Sequence, residues 1–233
     1  MSAHFPSSER RSFLTRLSTG FTALAATVVA GRATAQGQSS TAVQWQPARH
    51  EKDDWLDKIP GKHRMVFDTT NHEAFGEAMA FANNFMRVNR SDYGLQDSDV
   101  AVVIIARHRS TAFAYNGALW AKYGTILSMR ANFSDPKTKQ AAKTNLYNSK
   151  EDVELLTGRN TILDDLTKQG IQFGVCQLAT RNIAGLIAQA TGVTTDAAYS
   201  ELTANLIGNA RMVPAGIVAL GRAQERGYSL VTA

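Results

Sequence analysis

The sequence predicts an α/β protein, a three-layer α/β/α arrangement with a parallel sheet of about five strands. Two observations predict it. The strand-like segments are continuously apolar, as in VAVVIIA at 100–106, and they alternate with helix-like segments from residue 62 to residue 233. Continuous apolar strands are buried on both faces, which parallel sheets covered by helices require.

The first 35 residues read as an export signal of the twin-arginine type. Arg10 and Arg11 precede Ser12, Phe13 and Leu14, a short apolar stretch runs from Gly20 to Ala30, and Ala33-Thr34-Ala35 is a small-residue cleavage site placed before Gln36. The stretch is shorter than the ~20 residues that span a bilayer, so stable membrane insertion is not expected. The reading implies transient engagement of the twin-arginine translocase and a soluble, periplasmic or otherwise extracytoplasmic product. Of the 25 Lys+Arg and 20 Asp+Glu in the chain, residues 1–35 hold four arginines and one glutamate. The remainder therefore carries a net charge near +2, with no dense basic patch, and no nucleic-acid partner is implied.

Residues 36–61 are polar, with Pro47 and Pro60-Gly61 as punctuation, and read as an extension pinned by Trp45 and Trp55. An α/β domain is expected over 62–233. HRMVFDT at 63–69 reads as a buried strand, and Asn71 as the cap of a helix carrying Phe75, Met79, Ala82 and Met86. VAVVIIA is the second strand, and Asn116–Leu127 a helix. Residues 131–152 lose periodicity and read as a surface insertion. A helix over 161–168 is ended by Gly170. A strand at 171–175, helices at 179–191 and 197–207, a strand at 210–213, a helix over 214–226 and a strand at 228–231 complete the chain.

Cys176 is the only cysteine, so an intramolecular disulfide is excluded. It directly follows the third strand and precedes a helix, on the edge where parallel sheets place their ligands. Unpaired N–H groups and the positive end of the helix dipole favour a thiolate there, and Arg181 lies one turn further on. The same position equally suits a small apolar side chain that merely packs. His108 follows the second strand in the polar exit RHRST, and His72 follows the first. His108 is a candidate proton carrier for the thiol. His72, His108 and Cys176 together form a weak alternative metal set. No serine-hydrolase elbow, phosphate-binding glycine loop, dinucleotide fingerprint or HExxH is present, and no cofactor is implied.

GIQFGVC at 170–176 and the closing unit MVPAG…L…Q…GY, from Met212 through Leu220, Gln224, Gly227 and Tyr228, resemble the DsrE/DsrF-like sulfur-relay family. The resemblance covers roughly residues 62–233 apart from 131–152. It implies a parallel five-stranded sheet between helix layers, homo- or hetero-oligomers, and a cysteine that carries sulfur as a persulfide. By motif that cysteine is Cys176, with an undetermined sulfur donor, acceptor or thiol partner. The sequence departs from the family in its export signal and in Gln177-Leu178, where a small pair often follows the cysteine. The alternative reading is a non-catalytic binding or interaction module whose cysteine is structural.

Overall fold

The computed structural model describes residues 46–233, so the expected export signal, its expected cleavage site and Trp45 lie outside the described residues. Five strands form one sheet: β1 (His63–Thr69), β2 (Val100–Ala106), β3 (Gln172–Cys176), β4 (Ala210–Val213) and β5 (Ser229–Thr232). Their spatial order is β4-β3-β2-β1-β5, and every pairing is parallel. The fold is therefore α/β with an all-parallel five-stranded sheet and flanking helices. Among the described residues strand β5 pairs only with β1 and lies at a sheet edge.

Among the described residues eight α-helices accompany the strands: α1 (Trp55–Lys58), α2 (His72–Tyr93), α3 (Gly117–Ala131), α4 (Lys150–Thr157), α5 (Leu163–Lys168), α6 (Gln177–Thr191), α7 (Thr195–Ala204) and α8 (Gly216–Gln224). The period of two along each strand divides its side chains between two cores. Phe67, Val102, Ile104, Phe173 and Val175 face the larger core, with Phe75 and Met79 of α2, Trp120 of α3, Leu166 of α5 and Ile183 of α6. Val66, Val103, Ile105 and Val213 face the smaller one, with α1 and α8. Both faces are thus apolar, which explains the continuous runs.

The element ends follow local rules. Asn71 accepts a hydrogen bond from the Ala74 N–H, capping α2, and Asn116 does the same for Leu119 in α3. Helix α5 closes with the Ile171 N–H donating to the Leu166 carbonyl and the Gly170 N–H donating to that of Thr167. This Schellman pattern needs a left-handed residue, and Gly170 has φ +85°. The buried Leu166 and Ile171 supply its apolar contact.

Two segments differ from the sequence reading. Residues 131–152 are not simply a surface insertion, because Phe133, Ala142, Leu146 and Tyr147 are buried in the larger core. Asn145 anchors the segment by donating to the carbonyls of Phe113 and Tyr115 at 2.8 and 2.9 Å, and Tyr147 Oη donates to the His72 carbonyl. Helix α4 follows from Lys150 on. The described part of the polar extension is pinned at Trp55 as expected, but it goes further than a pin, since Leu56 and Ile59 also cover the smaller core. Arg64 holds it by donating to the carbonyls of Leu56, Ile59 and Gly61, and Tyr228 Oη donates to that of Leu56 at 2.8 Å. Burial pushes the Tyr228 phenol up to about 12, so it stays a donor at all ordinary pH.

Trp55 is only 8 % exposed and lies beneath the Arg211 guanidinium, 4.8 Å from its ring centre. Trp55→Ala should destabilise the protein by about 3 kcal/mol through lost burial and the cavity left behind. Chemical denaturation measures this, and a loss under ~0.5 kcal/mol would show that the extension does not contribute to the core.

Candidate functional site

Strands β1 to β3 each lead into connections packed on the larger core, whereas β4 leads into α8 on the opposite face. Between β3 and β4 the connections therefore diverge at the carboxyl edge, the position where open α/β sheets bind ligands. Cys176 is the last residue of β3, pairs with Val213 of β4, and is the N-cap residue of α6. Pro214-Ala215-Gly216 follows β4 on the other side of this divergence.

The strand period assigns Asp68, Arg107 and Cys176 to the face covered by α8. Ala106 pairs with Val175, so Arg107 stands beside Cys176 one step further along. Arg107 donates a fork to Asp68, Nε to Oδ1 at 2.7 Å and Nη2 to Oδ2 at 2.8 Å. Asp68 is 7 % exposed, so the pair is largely shielded from water. The hydrogen bond to Asp68 holds Arg107 above its ordinary value against the opposing cost of burial, and the nearby Cys176 adds in the same sense. The stem of Arg107 lies on the first residue of α8. A Cβ on Gly216 would come within 2.5 Å of Arg107 Cβ and 3.0 Å of its Cδ. Only glycine leaves that space.

Hydroxyls fix the surrounding backbone. Ser110 Oγ accepts from the Arg107 N–H at 3.0 Å and lies within 2.9 Å of the Thr69 carbonyl. On the far side of the thiol, Thr180 donates to the Cys176 carbonyl at 3.0 Å and accepts from Tyr115 Oη at 3.0 Å. Burial raises the Tyr115 phenol, and the Thr180 hydrogen bond only partly opposes this, so Tyr115 stays a neutral donor. Neither α6 nor α8 has a side-chain cap, in contrast to α2, α3, α4 and α7. The two helix starts carry exposed apolar side chains: Leu178 on α6, and Ile217 and Val218 on α8.

The residues singled out in the sequence do not all meet here. Cys176 is on the expected edge but only 7 % exposed, more enclosed than a solvent-facing thiol. Arg181 turns to α7, where its guanidinium stacks 4.2 Å over Tyr199 and pairs with Asp196 at 3.5 Å. His108 is exposed on the same edge, in the left-handed region at φ 57°. His72 instead pairs with Glu73 at 3.0 Å and packs edge-on against Phe133. Burial lowers the His72 imidazole, with Glu73 opposing. Among the described residues, no three His, Cys, Asp or Glu side chains converge as a metal site, so the set His72, His108 and Cys176 is not assembled. Asp68 and Arg107 escaped the sequence reading. Their signal was one charged residue inside each strand end, in FDT and IIAR.

Two glycines of α8 test the Arg107 contact. Gly216→Ala should destabilise the fold by about 1–3 kcal/mol as the Arg107 stem is displaced. At Gly221 a Cβ would meet nothing within 4 Å. Gly221→Ala should therefore be neutral or stabilising by up to ~1 kcal/mol. Equal effects in denaturant unfolding would contradict the contact. No protein-family model, no curated protein and no solved structure matches the chain.

Proposed function

We propose that the protein is a thiol-based sulfur carrier or thiol-exchange protein in which Cys176 accepts sulfane sulfur as a persulfide. The observation that carries this reading is the place of Cys176, at the end of β3 where the β3 and β4 connections diverge and beside a fixed guanidinium. The resemblance of residues 170–176 and 212–228 to DsrE/DsrF-like proteins points to the same chemistry. With its export signal, the protein would act outside the cytoplasm, after release from the twin-arginine translocase.

In the proposed step, the Cys176 thiol gives its proton to solvent and the thiolate attacks the terminal sulfur of a persulfide, R–S–SH. A new Sγ–S bond forms and the donor's S–S bond breaks. The electron pair leaves with R–S⁻, which takes up a proton as R–SH, and no net oxidant is consumed. Arg107 and the uncapped N–H groups of α6 stabilise negative charge at the sulfur. His108, exposed on the same edge, is placed to exchange protons with solvent. Arg181 has no part in this step, because α7 holds it.

A second reading rests on the burial of Cys176. There the thiol packs, and the protein is a binding module using the cavity of ≈ 550 Å³ lined by Asn116, Asn148, Asp164 and Leu206, away from the thiol. Folded protein treated with polysulfide, desalted and weighed by intact mass spectrometry separates the two. The carrier reading predicts a gain of one sulfur, abolished by Cys176→Ser with the fold retained. No gain on the folded wild type would leave the binding module.

A further inference from the structure

We propose that Arg107 makes the Cys176 site selective for small anionic sulfur donors, a sulfane sulfur carried on an oxyanion head of the thiosulfate class. The inference rests on the carrier reading and adds the donor's charge and size. A guanidinium has two edges that can donate a fork. Asp68 occupies the Nε/Nη2 edge, and among the described residues Nη1 has no hydrogen-bond partner. The second edge is therefore free for an oxyanion, in the planar geometry that arginine matches best. Asp68 and the glycine at 216 fix the paired edge and the stem of Arg107, and the pairing of Ala106 with Val175 sets Arg107 beside Cys176.

The charges around the thiol favour the same class. Arg107 is balanced by Asp68, but Arg109, two residues on, makes no ion pair among the described residues and is exposed, as is His108. The remaining charged pair near the start of α6, Arg181 with Asp196, is internally neutral. Size is set by the 7 % exposure of Cys176, which admits a compact donor more readily than a second protein's persulfide.

The transfer is balanced. The Cys176 thiolate attacks the outer sulfur of thiosulfate, the Sγ–S bond forms as the S–S bond of thiosulfate breaks, and sulfite leaves with the electron pair. Three negative charges stand on each side. Arg107 stays protonated throughout and holds the oxygens of the departing sulfite.

The test compares alkylation of Cys176 by iodoacetate, an anion, with that by neutral iodoacetamide, in folded and in urea-unfolded protein. An open donor edge of Arg107 beside the thiol should raise the folded iodoacetate-to-iodoacetamide ratio about fivefold over the unfolded value. Because Arg107→Gln alone strands a buried carboxylate, the double variant Asp68→Asn/Arg107→Gln is the second arm, and it removes that edge without changing the net charge. It should lower the ratio and cut sulfur loading from thiosulfate about tenfold. A folded ratio equal to the unfolded one, or unchanged in the double variant, overturns the selectivity and leaves the carrier reading intact. Sulfur gained from polysulfide but not from thiosulfate overturns the donor class in the same way. Failure of both reagents to label folded protein removes the carrier reading itself.

Discussion

Right-handed crossovers constrain this sheet more than any single contact does. Four strands added in one direction, β1 to β4, must place their connections on one face, and the single return from β4 to β5 must place α8 on the other. The divergence between β3 and β4, where Cys176 sits, is the consequence. The strand interiors obey the same constraint. Each must be apolar on both sides, which leaves the carboxyl edge as the place where charged side chains can gather.

Asp68, Arg107 and Cys176 gather there by register. They come from the ends of three neighbouring strands and share one face because side chains repeat every second residue. The fork between Asp68 and the half-buried Arg107 compensates the buried carboxylate, while Gly216 lets α8 approach the Arg107 stem closely. Losing one partner would cost about 2–3 kcal/mol, mostly from the charge left behind in a poorly solvated place. The arrangement is therefore a rigid frame around the thiol.

Much of the fold was legible in the sequence because it is written in local patterns. The bounds of β1, β2 and β4 follow from short apolar runs, and Asn71, Asn116 and Gly170 mark helix ends by mechanisms that act within a few residues. The parts that were not legible depend on partners far along the chain. Leu146 and Tyr147 show no period of their own, and Asn145 is held by carbonyls some thirty residues away. Trp55 and Leu56 look like isolated apolar residues until Arg64 and Tyr228 fold over them. At the site, helical spacing placed Arg181 one turn beyond the thiol, but Tyr199 and Asp196 decide where its side chain goes. Cys176 itself was placed correctly on its edge, while its enclosure depends on packing between β3, β4 and the two helix starts.

That enclosure is where the central claim is most exposed, since a carrier thiol must be reached without unfolding the protein. The direct measurement is the labelling rate of Cys176 by a small neutral thiol reagent across a series of denaturant concentrations below the unfolding transition. A thiol reached from the carboxyl edge gives a rate that is nearly flat across that range. A packed thiol gives a rate that climbs with denaturant in proportion to the unfolded fraction, and that result would contradict a carrier role for Cys176.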